Sequence, residues 1–223
     1  MTLHEIEVAI ANAGLAPRGA LLLDPAERQG PLAERRSVVL VGLVGRTGWD
    51  RFAVSSEAGD GAPDPLDRWS RRILAALAEQ LGALALFPFG GPPHWPFQRW
   101  GQRAEPLHPS PIGLLIHPVH GLWHSYRGAL AFTEALSLPP LVQTPSPCTT
   151  CEQRPCLTAC PVAAYAAEGF AVDACAQWLR SGSGQPCMDL GCQARAACPV
   201  GRQSAHRPDQ ASFGMRAFLK AHA

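Results

Sequence analysis

The run CTTCEQRPCLTACP, from Cys148 to Pro161, reads Cys-x2-Cys-x4-Cys-x3-Cys-Pro. Four more cysteines follow, Cys175, Cys187, Cys192 and Cys198, and the last is again followed by a proline, Pro199. No cysteine precedes Cys148. Thiol chemistry is therefore confined to one module, and the rest of the chain is arranged around it.

Bacterial two-cluster ferredoxins use Cys-x2-Cys-x2-Cys-x3-Cys-Pro, and the cysteine before the proline serves the other cluster. The present run keeps the first spacing, the last spacing and the proline, and adds two residues in the middle. On the ferredoxin pairing, Cys148, Cys151, Cys156 and Cys198 hold one [4Fe–4S] cluster. Cys160, Cys175, Cys187 and Cys192 hold the other. Thr149, Thr150 and backbone N–H groups are expected to donate hydrogen bonds to the sulfurs. The second half is irregularly spaced, which leaves a single cluster open. An even number of cysteines also permits disulfides, and zinc is a further alternative, although only one Cys-x2-Cys pair is present.

A chain of 223 residues suits one large domain or two small ones, and 47% apolar residues suffice for a core. The net charge of +1 gives no global attraction to nucleic acid or anionic membrane. No apolar run is long enough for a transmembrane helix. The start, MTLHEIEVAI, lacks the basic region and apolar run of a signal peptide. A cytoplasmic location follows as the expectation, with reduced thiols.

Before the module, Thr2–Ala13 is expected to be a helix, opened by a Thr2/Glu5 capping box. Leu21–Leu23 suits a short strand and Ser37–Val44, SVVLVGLV, a buried one. Gly42, Gly45 and Gly48 read as a glycine-rich turn. Asp64-Pro65 opens a helix whose Leu66, Trp69, Ile73, Leu77 and Leu81 share a face, with Gly82 ending it. Arg68, Arg71 and Arg72 lie at its positive end and are expected to be solvated, with an anion site as the alternative. Ala83–Phe87 is a further strand.

The proline- and aromatic-rich stretch after Phe87, up to Pro111, reads as a long loop covering a pocket. Ile112–Ile116 and the tail of HPVHGLWHSYRGALAF, which spans His117 to Phe132, are expected as two strands joined through a Pro118–Gly121 turn. Spacing alone makes His117, His120 and His124 turn histidines rather than metal ligands. Pro139–Pro147 is a linker. Val162–Ala167 and Asp173–Leu179 suit short helices, Ser181–Gln185 a flexible loop, and Pro208–His222 a closing amphipathic helix.

Taken together, IGLLIHPVHGLWHSYRGALAF, the proline linker, CTTCEQRPCLTACP, the VDAC segment and the final Cys-Pro resemble the epoxyqueuosine reductases. The His117, Pro118, Gly121 and Trp123 pattern is also similar to CblC-type cobalamin-processing proteins. The resemblance implies a nitroreductase/CblC-like α+β sandwich in residues 1–138, a linker at 139–147, and a ferredoxin-like module with two [4Fe–4S] clusters at 148–223.

It implies further that His117, Gly121 and Trp123 line the edge of a bound cobalamin, and that Asp67 is the catalytic acid. The activity implied is that of an oxidoreductase passing electrons from the clusters to a corrinoid or similar cofactor. A redox partner protein is implied, and a ferredoxin-type carrier is the alternative. The family's Asp-Tyr-His is Asp67-Arg68-Trp69 here, and the helical tail for tRNA that members often carry is not expected in this chain.

Overall fold

The computed structural model describes residues 1–166 and 169–222. The fold is α+β, and the chain forms two compact units interleaved in sequence. One comprises Met1–Pro106 and His124–Gln143, the other Leu107–Trp123 and Thr144–Ala223.

The first unit opens with α1 (Leu3–Asn12), capped as its sequence dictates. Glu5 N–H donates to Thr2 Oγ1 at 3.3 Å, and Thr2 N–H donates to Glu5 Oε2 at 2.7 Å. β1 (Ala16–Leu22) begins earlier than Leu21, and β2 runs over Ser37–Val44 as expected. Two short helices follow, α2 (Trp49–Ala53) and α3 (Ser56–Gly59), then the long α4 (Pro65–Leu81) and β3 (Leu84–Leu86). Asp64 precedes α4 with φ 51°, and its side chain makes no cap hydrogen bond, contrary to expectation.

The stretch expected as one loop contains α5 (Phe97–Ala104). Phe97, Trp100 and Ala104 fall at helical spacing, and this short stripe is hidden among prolines and other aromatics. Next come β4 (His108–Pro109) and β5 (Leu115–Ile116), a two-residue ladder in the second unit. β6 (His124–Phe132) returns to the first unit. The expected hairpin of Ile112–Ile116 with this strand does not form, because β5 pairs with β4 and β6 pairs with β2 and β3.

The main sheet has the order β1-β2-β6-β3, antiparallel throughout. Period-two alternation sends its side chains to two buried faces. Val38 and Leu40, paired with Ala131 and Ala129, meet Phe97 and Trp100 of α5. Val41 is paired with Gly128, where a Cβ would stand 2.4 Å from Leu74 of α4. The sheet is thus covered by helices on both faces, which explains why SVVLVGLV is apolar without a break. Each fully buried aliphatic side chain contributes about 1.5–3 kcal/mol relative to exposure.

Two ion pairs settle the arginines of α4. Arg68 binds Asp60 through Nη1 and Nη2 at 2.7 Å each, and Arg72 binds Glu57 at 2.6 and 3.0 Å. Arg71 lies over the Phe87 ring at 4.6 Å. These cations are engaged by neighbours of the same unit, where the sequence suggested solvation.

The second unit adds α6 (Pro155–Thr158), β7 (Tyr165–Ala166), β8 (Gly169–Phe170), α7 (Val172–Arg180), α8 (Gln185–Leu190), α9 (Gln193–Ala196) and α10 (Pro208–Ala221). The helix expected at Val162–Ala167 is replaced by a turn and β7, with Ala167 itself outside the described residues. Ser181–Gln185 is a 3-10 turn leading into α8, and Gly184 is buried. A Cβ there would meet the Trp178 carbonyl at 2.1 Å. α10 packs on the α8 end, where Gly191 leaves room for Ala211.

The boundary expected at residue 138 differs from this division. Leu107–Trp123 belongs with the cysteines, because Ile112, Ile116 and Leu122 share a core with Cys156, Ala194 and Cys198.

Candidate functional site

All eight cysteines are free thiols. They line two cavities of the second unit, four to each. Cys148, Cys151, Cys156 and Cys198 surround the first, with Ser110, Ile112, Ile116 and Leu122. Cys160, Cys175, Cys187 and Cys192 surround the second, with Tyr165, Trp178 and Met215. This is the division that the ferredoxin spacing anticipates. Short helices deliver the thiols: α6 carries Cys156, α7 carries Cys175, α8 carries Cys187, and α9 runs between Cys192 and Cys198.

Burial and crowding work against ionised thiols here. Burial pushes Cys148 and Cys156 up, and the other cysteines of their set add to it. Cys175 is pushed up to about 11 by burial, then by Cys192, Cys160 and Cys187. Four converging thiolates need positive charge at the centre of each cavity, which iron or zinc would supply.

Four thiols line each cavity, the donor set that a [4Fe–4S] cluster takes, one thiolate to each iron, and that a structural zinc also takes.

Polar groups aimed at the cysteines fit a cluster as well. Ala164 N–H donates to Cys160 Sγ at 3.4 Å, and Gln193 Nε2 donates to Cys187 Sγ at 3.5 Å. Tyr165 Oη lies 3.5 Å from Cys192 Sγ. Ser110 Oγ in the first cavity's wall and Trp178 Nε1 in the second's are buried without a hydrogen-bond partner among the described residues. Buried donors of this kind are rarely left unpaired, and bound inorganic sulfide would give them acceptors.

The threonines expected in this role are turned elsewhere. Thr149 Oγ1 donates to Ser146 O at 2.7 Å and Thr150 Oγ1 to Pro147 O at 3.4 Å. Tyr165, Gln193, Ser110 and Trp178 were not legible as sulfur neighbours, because no local spacing ties them to a given cysteine.

The His117–Trp123 turn lies in the second unit rather than in the N-terminal one. His117 and Gly121 exchange backbone hydrogen bonds at 2.9 and 2.8 Å. His117 Nδ1 accepts from the N–H groups of Val119 and His120 at 3.0 and 3.2 Å, so its proton, when neutral, sits on Nε2. Gly121 has φ 58°, and a Cβ there would stand 2.0 Å from the Val200 carbonyl oxygen. Trp123 is buried, with Arg195 4.7 Å from its ring and His206 5.3 Å away. Gly121 is thus packed against Val200, while Trp123 lies between Arg195 and His206.

Asp67 lies in the first turn of α4 and accepts a hydrogen bond from Arg127 Nη2 of β6. Arg127 Nε also donates to Ser70 Oγ at 3.0 Å. Asp67 is thus the carboxylate partner of Arg127 within the first unit.

No family model matches the chain, and no curated protein matches it in sequence. Solved structures do. A Streptococcus thermophilus epoxyqueuosine reductase superposes with a TM-score of 0.55 at 15% identity, over 91% of this chain and 67% of that one. The fold is that of the epoxyqueuosine reductases. A Bacillus subtilis epoxyqueuosine reductase gives a TM-score of 0.51 at 14% identity, over 93% of this chain and 68% of that one. An epoxyqueuosine reductase solved with an epoxyqueuosine-modified tRNA stem loop gives 0.52 at 13% identity, over 93% and 68%. At such identities the likeness establishes the fold, and the chemistry has to be argued from the site.

Proposed function

We propose that this chain is an iron–sulfur oxidoreductase. Cys148, Cys151, Cys156 and Cys198 would hold one [4Fe–4S] cluster, and Cys160, Cys175, Cys187 and Cys192 a second. The division of the cysteines into two cavities of four carries this reading. The fold likeness to epoxyqueuosine reductases supports it. When bound, such clusters supply one-electron transfer. The protein's part is to hold the thiolates apart, to exclude water with Ile112, Ile116 and Leu122, and to direct Ser110, Tyr165, Trp178 and Gln193 at sulfur.

The acceptor we propose is a corrinoid or similar flat cofactor associated with the N-terminal unit, with electrons supplied by a redox partner protein in the cytoplasm. Gly121 and Trp123 belong to the second unit, where both are packed, so no step is derived through that cofactor. The packing of Gly121 and Trp123 favours a second reading, a ferredoxin-type carrier with no cofactor beyond its clusters. Nucleic acid is not proposed as a partner, since a net charge of +1 offers no footprint for a phosphate backbone. Among the described residues no helix is long and apolar enough to cross a membrane.

An anaerobic visible spectrum, repeated with hydroxocobalamin added, separates the readings. Iron–sulfur absorption with a shifted cobalamin spectrum supports the corrinoid reductase. The same absorption with an unshifted cobalamin spectrum supports the carrier. A colourless protein contradicts both.

A further inference from the structure

A row of rings leads from the second cavity to the surface of its unit. Tyr165 lines that cavity, and its Oη lies 3.5 Å from Cys192 Sγ. The β7–β8 pairing sets Tyr165 opposite Phe170, and their rings stack at 4.9 Å and 15°. Phe170 meets Phe218 of α10 at 5.9 Å, and Phe218 meets His222, one turn on, at 4.6 Å. These are the separations of packed aromatic pairs. Met215, three residues before Phe218 on α10, lines the same cavity. The row begins half-buried at Tyr165 and ends in solvent, with Phe170 37% exposed and His222 exposed. Among the described residues Phe170 is the one aromatic side chain of the exposed large apolar set. Among them, too, no aromatic residue lines the first cavity.

Cations gather at the outer end of this row. Arg216 and Lys220 flank Phe218 on α10, two residues to either side, and both are exposed. Arg180, exposed at the end of α7, donates to the His222 carbonyl oxygen. Between Phe170 and His222 the chain carries six arginine or lysine residues against three aspartates, a net +3 where the whole chain has +1. Of the three acids, Asp209 is paired with Arg207 at 3.2 Å, Asp189 accepts from Gln185 at 2.8 Å, and Asp173 lies in the first turn of α7. Aromatic and arginine side chains are the types enriched at protein interfaces. An electron-transfer encounter needs only a small patch, below about 1,200 Å². Charge of one sign on that patch speeds the encounter with a partner of the other sign.

We propose that Phe170, Phe218 and His222, with Arg180, Arg216 and Lys220 around them, form the docking face for a small acidic one-electron carrier protein, and that Tyr165 links this face to the Cys160/Cys175/Cys187/Cys192 site. This rests on the iron–sulfur function proposed above. In each encounter one electron passes from the carrier to the site along the row. The carrier is oxidised by one electron and the site is reduced by one. No bond forms or breaks, and no proton moves.

The test uses the iron-loaded full chain, with iron and sulfide counted on every sample. Electron exchange with an acidic [2Fe–2S] ferredoxin, started from whichever protein has the lower midpoint, is followed by anaerobic stopped-flow absorbance. Methyl viologen, a small carrier that needs no docking face, is the control. Phe170→Ala and Phe218→Leu should each slow exchange with the ferredoxin by about tenfold, and leave the viologen rate and the midpoints unchanged. Arg216→Glu should slow the ferredoxin alone, and it decides the matter where a ring variant loses iron. Added salt should slow the wild type with the ferredoxin, because it screens exposed charge. A wild-type chain that holds no iron overturns the function proposed above, and the docking face with it. An iron-loaded chain that exchanges with the viologen but not with the ferredoxin overturns the docking face alone. So do variants that exchange at the wild-type rate, variants that slow the viologen equally, or a ferredoxin rate that rises with salt.

Discussion

Gly121 lies so close to Val200 that a Cβ on the glycine would stand 2.0 Å from the Val200 carbonyl oxygen. The contact joins the turn after His117 to the turn after Cys198, and Gly201 makes the reciprocal approach, with its own Cβ position 2.3 Å from the His120 carbonyl carbon. Gly121→Ala combines that clash with φ 58°, a conformation that costs a non-glycine residue about 1 kcal/mol or more. We expect the variant to melt at lower temperature and to lose metal from the Cys198 cavity first. Metal analysis beside a thermal melt checks both, and unchanged metal content would show that the contact does not shape the cavity.

In the first unit, Arg18 is 1% exposed and bound through Nε and Nη2 to Glu105, 2.8 Å each. Tyr126 donates to the same carboxylate at 2.9 Å. Removing one member leaves a buried charge unanswered, at a cost of about 3–5 kcal/mol for Glu105→Ala. Tyr126→Phe should cost about 1 kcal/mol, one hydrogen bond. Urea denaturation of both variants tests the order, and equal costs would contradict it.

His206 gives the second unit a pH dependence. Burial and the charge of Arg195 hold its folded pKa down to about 3, against an ordinary value of 6.5. The unfolded chain therefore binds one more proton than the folded one between these values. Stability is fully present above pH 6.5, falls as the pH drops through that window, and flattens below about 3. The slope from this group is at most about 1.4 kcal/mol per pH unit. His206→Gln should flatten the curve between pH 6.5 and 4, and a curve as steep as wild type would place the acid sensitivity elsewhere.

Asp67→Asn tests the assignment of Asp67 as the partner of Arg127. The carboxylate is 35% exposed, and such a pair contributes about 1 kcal/mol or less. We expect a small loss of stability and unchanged reduction of the chain by dithionite. A variant of normal stability whose turnover with an acceptor collapses would return Asp67 to the role of proton donor.

The sequence was most informative where local chemistry determines structure. The capping box of α1, the unbroken apolar run of β2 and the Pro–Gly frame of α4 are each fixed within a few residues, and each was read correctly. The cysteine spacing matches the sorting of the thiols into two cavities of four. Contacts between distant segments were not legible. Nothing near Arg195 announces Leu122 or Trp123 as its neighbours, and nothing near Glu105 announces Arg18. The α5 stripe was missed because Pro96 and the surrounding aromatics disguise its period. Leu107–Trp123 was placed in the wrong unit because its affinity for Cys156, Ala194 and Cys198 comes from tertiary packing alone.

Iron and acid-labile sulfide counted on anaerobically purified protein, wild type beside Cys198→Ser and Cys175→Ser, test the two-cavity account most directly. The account predicts about eight of each per wild-type chain, two clusters of four. It predicts about half that in each variant, with the remaining signal differing between them. Zinc in place of iron, or a single serine substitution that empties the whole chain of an otherwise folded protein, would contradict it.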